Sequence, residues 1–274
     1  MTQRIQDTSV LREQYKDSSH LAARISIHEK YSVNKQGFIP WIYANYQIEE
    51  GQKVLECGCG NGAMWKQFID QLPKSSSLIL SDFSEGMLEA CKANVPNLPQ
   101  IAYEVIDIQA IPYEADTFDH VIANMMLYHV PDLHRGLQEI ARVLKPGGTF
   151  YCATYGENGM IEYISALFRE HGADGADKQA QGQSSPQGNK VFTLQNGETT
   201  LRQHFGEVTC YRYEDHLEVT ETLDLVDYVR SLTDMSRLGE VSDVQLFDTL
   251  EHLKRDGIIH VPKEYGMFVA KSPK

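Results

Sequence analysis

Residues 54–62 read Val-Leu-Glu-Cys-Gly-Cys-Gly-Asn-Gly, and this stretch decides the fold. The apolar residues before the first glycine are typical of a short buried strand. Beyond the last glycine, apolar side chains recur from Trp65 to Leu72 at the i, i+3, i+4, i+7 spacing of an amphipathic helix. Glycines let the chain turn tightly between the two elements and let its backbone approach a ligand. The stretch therefore predicts a strand, a tight loop and a helix whose first N–H groups face a bound molecule.

The alternation of strand and helix continues on the carboxyl side of this stretch. The apolar runs predict further strands at 78–81, 101–106, 118–124 and 149–154. Ser84 and the Pro131-Asp132 pair stand where two of the intervening helices begin. Such alternation requires parallel pairing through right-handed crossovers, so the predicted class is α/β, an open sheet with helices on both faces. Ligands of such sheets lie at the carboxyl ends of the strands.

The pattern changes after the fifth strand. Residues 172–190 contain no large apolar side chain, so we expect a mobile surface loop there. Two late strands follow, at 208–213 and 265–271, with two helical stretches between them. We expect these helices, about residues 220–257, to form a cap over the sheet edge.

Composition excludes several classes of protein. The 38 acidic and 25 basic residues give a formal net charge of −13, which disfavours binding to a nucleic-acid backbone. The chain shows neither a secretory leader nor about 20 consecutive apolar residues, so we expect no membrane insertion and a cytoplasmic location. Its 5 cysteines include no Cys-x-x-Cys pair, and its 10 histidines no His-x-x-x-His pair. The sequence therefore predicts reduced thiols and no metal site.

A carboxylate points to the kind of ligand. Asp82 ends the second predicted strand about 20 residues after Gly62, where an acidic side chain accepts hydrogen bonds from ribose hydroxyls. This predicts a nucleoside without saying which one, because Gly58, Gly60 and Ala63 also match the dinucleotide fingerprint.

Six segments resemble the successive motifs of one family. They are residues 54–62, 81–88, 107–113, 118–121, 127–132 and 142–148. In order and spacing they are similar to class I S-adenosylmethionine-dependent methyltransferases of the small-molecule (type 11) group, which includes quinone-biosynthesis enzymes. The resemblance covers about residues 45–155. It implies a Rossmann-like, mostly parallel sheet of seven strands with an antiparallel last strand, in a methyltransferase domain at 45–274 preceded by a helical lid segment at 1–44.

The resemblance assigns one group of residues to the methionine part of the cofactor and the adjoining ribose. Glu56 would orient the loop and the methionine ammonium. The backbone of Gly58, Gly60 and Gly62 would pass close to the methionine and the ribose. Asn124 would add backbone contacts beside the ammonium.

A second group is implied to hold the nucleoside. Asp82 would take the ribose hydroxyls, with Phe83 and Met87 packed on the adenine. Asp107 would accept from the adenine amine while Ile108 donates its backbone N–H to the ring. Other interpretations stay open, since Asp82 could cap the next helix, an acidic residue such as Asp107 is common at a strand end, and the three apolar residues could be plain core.

The acceptor half of the site is less defined. His129 could deprotonate an acceptor near neutral pH, although histidine at this position of the family equally suits a cofactor-side role. The aromatic and histidine side chains that we expect to contact substrate are Tyr15, His28, Tyr31, Tyr128 and Tyr228. Two alternatives stay open: Tyr128 could be a core residue, and the segment from Tyr15 to Tyr31 could be a solvated amphipathic helix docked on the sheet.

The resemblance implies an enzyme that transfers a methyl group from S-adenosylmethionine to a small organic acceptor by in-line displacement, without a metal. Residues 124–127, Asn-Met-Met-Leu, depart from the Asn/Asp-Pro-Pro-Tyr pattern of nucleic-acid enzymes that methylate amino groups. A dehydrogenase of NAD type using the same glycine loop, and a nucleoside-binding protein without turnover, remain as alternatives. The acceptor atom and the oligomeric state stay open.

Overall fold

The apolar run before the glycine loop forms a strand inside a sheet of seven strands in the computed structural model, which describes residues 19–171, 191–231 and 241–274. The strands of the described residues are β1 (Lys53–Cys57), β2 (Ser77–Asp82), β3 (Ile101–Val105), β4 (Phe118–Ile122), β5 (Leu144–Tyr155), β6 (Phe205–Tyr213), β7 (His216–Val219), β8 (Ile259–Pro262) and β9 (Tyr265–Pro273). Their α-helices are α1 (Ser19–Tyr31), α2 (Phe38–Ala44), α3 (Ala63–Phe68), α4 (Glu85–Asn94), α5 (Leu133–Val143), α6 (Met160–His171), α7 (Gly197–Leu201), α8 (Thr222–Arg230) and α9 (Asp243–His252).

The large sheet has the order β3-β2-β1-β4-β5-β9-β6. Strands β1 to β5 pair in parallel, while β9 runs antiparallel to both β5 and β6. The predicted sheet with an antiparallel last strand is therefore confirmed. Strand β1 lies where the order reverses, with β2 on one side and β4 on the other, and a crevice opens at the carboxyl ends of strands at such a point.

Helices cover both faces of this sheet. Neighbouring residues of a strand point to opposite faces, so Leu55 and Val54 of β1 belong to two different buried clusters. Leu137 of α5 packs in the cluster of Leu55, and Trp65 of α3 packs in that of Val54. The predicted two-sided burial is confirmed.

Two predicted helix starts are also confirmed. The Ser84 hydroxyl accepts a hydrogen bond from the Met87 N–H at 3.4 Å and caps α4. The Asp132 carboxylate accepts from the Arg135 N–H at 3.0 Å and caps α5. Each cap satisfies an N–H that the helix itself leaves without a partner.

A third buried cluster lies outside the two faces of the large sheet. It joins α1, α6, α8 and α9 to a separate two-stranded sheet of β7 and β8, and we call this assembly the cap. Its helices α8 and α9 were predicted. The four-residue strands β7 and β8 were not, because strands so short give too little alternation to be recognised.

Other boundaries differ from the prediction or fall outside the described residues. Strand β6 begins at Phe205 and β9 extends to Pro273, so both are longer than expected. The loop expected at about 172–190, and Tyr15, lie outside the described residues. None of the described helices combines the length and apolar composition that a membrane span requires.

Candidate active site

The glycine loop that follows β1 adopts a backbone that side chains rarely tolerate. Gly58, Gly60 and Gly62 have φ of 74°, 55° and 73°, in the left-handed region. A Cβ on Gly58 would stand 2.8 Å from Met126 Cγ, and one on Gly62 would stand 2.7 Å from Cys91 Sγ. At Gly60, by contrast, no atom of the described residues lies within 4 Å of that position. The outer two glycines are needed for packing, and the middle one faces open space.

Asp82 ties the end of β2 to this loop. Its Oδ2 accepts a hydrogen bond from the Gly60 N–H at 3.0 Å, and its Oδ1 accepts from the Ser84 N–H at 2.8 Å. Burial raises the pKa of this carboxyl above its ordinary value. The Phe83 backbone N–H is a further donor to this carboxylate, and a carboxylate offers about four lone-pair directions, so Asp82 keeps capacity to accept from a ligand.

Glu56 brings a second carboxylate to the same loop. Its side chain is buried, with 4% exposed, and accepts a hydrogen bond from the Trp65 indole N–H. Burial, together with the negative charge of Asp82, raises the pKa of Glu56 to about 7. A cation bound between these carboxylates would relieve their repulsion, so this end of the crevice favours a positively charged group.

The residues expected at the nucleoside divide into two kinds. Met87 and Ile108 are core residues, each with 6% exposed, whereas Phe83 keeps 38% exposed at the end of β2. Asp107 accepts from the backbone N–H and the side-chain amide of Gln109 at 2.9 and 3.0 Å, which closes a tight turn after β3. Phe83 is thus the apolar member of this set with a ring surface open to a ligand.

Asn124 follows β4 and is fixed through its side chain. Its Oδ1 accepts from the Ala153 N–H at 3.1 Å, and its Nδ2 donates to the Tyr46 hydroxyl at 2.6 Å. The next residue, Met125, has φ of 54°, an unusual value for a side chain of this size. The strained turn places Met126 under Gly58, so β4 supports the loop that follows β1.

His129 lies in a short 3-10 turn, Leu127–His129, before α5. Burial and the positive charge of Arg24 lower the pKa of His129 to about 4, so its imidazole is neutral at pH 7. Arg24 also acts on Tyr228 of α8, opposing the rise in pKa that burial causes there. Helix α1 therefore places a positive charge near both His129 and Tyr228.

His28 and Tyr228 lie together beside Arg24. The His28 ring makes edge contacts with Tyr228 and Tyr265 at centroid distances of 6.2 and 5.8 Å. Burial and the charge of Lys263 lower the pKa of His28 to about 3. Its buried Nδ1 has no hydrogen-bond partner among the described residues. This pair could meet a ligand from the cap side.

The structure places the other two expected substrate residues differently. The Tyr31 hydroxyl donates to Asp224 of α8, which also pairs with Lys30. Tyr128 is buried, and its ring packs against His129 and Tyr155 at 4.5 and 4.6 Å. Both residues therefore join structural elements, and their contact with substrate stays a prediction.

Three residues of the site were not predicted from the sequence as functional. Arg24 precedes His28 by about one helical turn, and that shared face was the available signal. Trp65 was assigned to the core, although a buried indole N–H requires an acceptor. Nothing in the sequence pattern marks Tyr46 as the partner of Asn124, since the two lie far apart along the chain.

Comparison with known proteins agrees with this geometry. A family model described as a methyltransferase domain matches residues 55–152. The chain is 38% identical over 102 residues to a ubiquinone/menaquinone biosynthesis C-methyltransferase of Geobacter sulfurreducens, which covers 36% of this chain and 40% of that protein. It is 30% identical over 152 residues to a demethylmenaquinone methyltransferase of Shouchella clausii, covering 55% and 62%.

The fold is also shared with solved structures. A crystal structure of a putative methyltransferase from Bacillus halodurans superposes with a TM-score of 0.55 at 14% identity and covers 86% of this chain and 99% of that one. Identity at this level shows the fold alone. The match to the family model spans the strands and loops that carry Glu56, Asp82 and Asn124. Residues 55–152 of this chain thus match a methyltransferase domain and are similar to the quinone-biosynthesis methyltransferases named above, of whose own length the chain covers 40% and 62%.

Proposed function

We propose that this protein transfers a methyl group from S-adenosylmethionine to a small organic acceptor. The observation that carries the proposal is the open space at Gly60, bordered by the carboxylates of Asp82 and Glu56 at the point where the strand order reverses. A ligand placed there needs hydroxyl donors toward Asp82 and a positive charge toward Glu56. S-adenosylmethionine has both, in its ribose and in its methionine ammonium, whereas the positive charge of oxidised NAD lies on a ring nitrogen that has no N–H to donate to a carboxylate.

The remaining contacts follow from this placement. Phe83, at the end of β2, offers its exposed ring to the adenine, and Asp107 with the backbone of Ile108 lies after the neighbouring strand β3. The Asn124 side chain is already bonded to Ala153 and Tyr46. Its role is therefore to hold the backbone at the end of β4 beside the ammonium.

The protein's contribution to the reaction is alignment and exclusion of water. The bound cofactor supplies a methyl group that its sulfonium has already activated. Asp82 would hold the ribose and Glu56 the methionine ammonium, so the chain then has to place an acceptor in line with the methyl group. The proposed role of the cap, which includes α1, is to cover this region and keep water out.

His129 is the proposed acceptor-side base. Its neutral imidazole can accept a proton at pH 7, because burial and Arg24 hold its pKa near 4. The same low pKa makes it a weak base, so its expected task is to orient an acceptor and to take its proton as the new bond forms. An acceptor that needs no deprotonation would use it only for orientation.

The chemistry of the cap favours a neutral, partly apolar acceptor. Its buried members near α1 are largely aromatic or aliphatic, among them Tyr228, Leu225 and Ile27. The relatives named above act, by their names, on ubiquinone or menaquinone precursors. We therefore propose a quinone-like ring as the first acceptor to test, with methylation at carbon. The net charge of −13 supports a small molecule over nucleic acid.

Two measurements, made one after the other, test this function. Calorimetry with S-adenosylmethionine, S-adenosylhomocysteine and NAD should show binding of the first two only, and binding of NAD alone would overturn the proposal. Methyl-labelled cofactor incubated with demethylmenaquinone, and separately with metabolite extract, should then give a labelled organic product. Tight binding of S-adenosylhomocysteine without transfer to any acceptor would favour a nucleoside-binding protein instead.

A further inference from the structure

Three side chains of types that can bind a metal ion lie close together on the outer face of the two-stranded sheet of the cap. They are remote in sequence from the glycine loop. They are His216 and Glu218 of β7 and His260 of β8. Glu218 lies directly opposite His260 in the antiparallel register, and His216 lies two residues before Glu218, hence on the same face. The alternate residues Leu217 and Val219 point inward and are buried.

The distances suit one shared ion. His216 Nε2 lies 3.6 Å from Glu218 Oε1, and one candidate ligand atom from each of the three side chains lies within 4.8 Å of the others. The two imidazole rings have their centroids 6.1 Å apart and are tilted by 34°. Ligands about 2.0–2.1 Å from a tetrahedral ion stand roughly 3.3 Å from each other. Small rotations of exposed side chains close the remaining gap.

The backbone under these ligands is held in place. The His216 N–H donates to Asp215 Oδ1 at 2.9 Å, and the His216 carbonyl accepts from the Val33 N–H at 3.0 Å. Asp215 itself forms a buried ion pair with Lys263, the residue that follows β8. The two strands are thus joined by an ion pair at the end where His216 lies, which fixes the spacing between the ligands on β7 and β8.

We propose that His216, Glu218 and His260 bind a divalent transition-metal ion, with Zn²⁺ as the representative, and that water completes the coordination. Two imidazoles and one carboxylate suit zinc, nickel or copper, whereas Mg²⁺ and Ca²⁺ prefer oxygen ligands alone. This departs from the expectation of no metal site, which rested on spacing within one segment. Here the ligands are brought together by strand pairing across about 40 residues of chain.

The consequence of this site is structural and does not depend on the proposed function. An ion held by both strands would cross-link β7 to β8, and isolated two-stranded sheets have little stability of their own. Since the inward side chains of both strands belong to the buried cluster of the cap, the ion would stabilise the cap as a whole.

The test uses the full chain without a histidine tag, freed of metal by chelation. Zn²⁺ is titrated in competition with a chromogenic chelator, with Mg²⁺ as the negative probe. We expect one Zn²⁺ per chain, a higher melting temperature with Zn²⁺, and no effect of Mg²⁺. H260A and H216A should each weaken Zn²⁺ binding by at least about tenfold and abolish the thermal shift, and E218Q should weaken it less.

A second pair of histidine side chains provides a matched control. His134 and His204 form another histidine pair, with Nδ1 and Nε2 3.3 Å apart, and H134A should leave Zn²⁺ binding unchanged. Because the three ligands are exposed, melting temperatures of the variants in chelator should match the parent. Zn²⁺ binding that survives H260A and H216A, for example at thiols, or that is lost in H134A instead, would overturn the site.

Discussion

The Asp82 carboxylate accepts a hydrogen bond from the backbone N–H of Gly60 at 3.0 Å, and so links the end of β2 to the middle of the glycine loop. The residue proposed to bind ribose therefore also sets the shape of the loop that receives the rest of the cofactor. Loss of this carboxylate removes a ligand contact and a loop contact together.

D82A should weaken binding of S-adenosylmethionine by about 1.5–3 kcal/mol, the usual scale for losing charge-assisted hydrogen bonds. Calorimetry at fixed pH measures this. D119A is the matched control, because Asp119 pairs with Lys145 near the amino-terminal end of β4, away from the glycine loop. Equal affinity in D82A and the parent would show that the ribose has been placed wrongly.

Substitutions in the glycine loop can distinguish a loss of space for the ligand from a loss of packing. G60A and G62A both force a side chain into the left-handed region, at a similar cost of about 1–2 kcal/mol. In G62A the new Cβ also meets Cys91 and Val95. G62A should therefore lower the melting temperature more than G60A, whereas G60A should lower cofactor affinity with the smaller loss of stability. A reversed order would contradict the assignment of open space at Gly60.

Glu56 should make stability depend on pH. Its folded-state pKa of about 7 lies above the ordinary 4.5, so between these values the folded chain holds a proton that the unfolded chain lacks. Its contribution to stability is fully present below about 4.5 and is lost as the pH rises through about 7. E56Q cannot titrate, so from pH 5 to 8 its free energy of unfolding should fall less than that of the parent. Parallel curves would show that Glu56 is already ionised at low pH.

Glu56 should also make the affinity for the cofactor depend on pH. An ammonium bound beside Glu56 favours the ionised carboxylate, so the affinity for S-adenosylmethionine should rise from pH 6 to pH 8. E56Q should bind more weakly and lose most of this rise. Proton release, measured by calorimetry in buffers of different ionisation enthalpy, provides the check.

His129 should affect turnover more than cofactor binding. H129A is expected to reduce the methylation rate of demethylmenaquinone while leaving the affinity for S-adenosylhomocysteine unchanged. Because burial and Arg24 lower its pKa to about 4, the imidazole stays neutral from pH 6 to 8, and the parent's rate should show no His129 titration in that interval. Loss of cofactor binding in parallel with the rate would assign His129 to the cofactor side.

Acceptor choice should reside in the cap. Y228F and F247A alter two side chains of its cluster and should change KM or kcat for the acceptor more than the Kd for S-adenosylmethionine. A fall in cofactor affinity with unchanged acceptor kinetics would contradict this division of the site.

The sequence alone predicts the parts of the fold whose signal is local. The run from Val54 to Gly62 and the caps at Ser84 and Asp132 each satisfy backbone groups within a few residues, so their pattern is visible along the chain. The number of strands and the antiparallel last strand came with the resemblance to a family.

The parts that escaped prediction depend on contacts between distant segments. The hydrogen bond of Asn124 to Tyr46, the charge of Arg24 acting on His129, and the pairing of β7 with β8 all join residues that are remote in sequence. No periodicity within one segment encodes such contacts. The acceptor half of the site depends on such contacts, including that of Arg24 with His129, and it therefore stayed less defined than the cofactor half.

The position of β9 has a consequence for how the molecule assembles. Among the described strands, β6 is hydrogen-bonded to the large sheet only through β9, although β7, α8, α9 and β8 lie between β6 and β9 in the chain. During synthesis, the edge of β6 that will pair with β9 therefore has no hydrogen-bond partners while β7, α8, α9 and β8 emerge. Strand β9 then pairs with β5 and β6 and completes the large sheet. A substitution that delays folding of the cap would therefore also prolong the exposure of β6 as an unpaired, aggregation-prone strand.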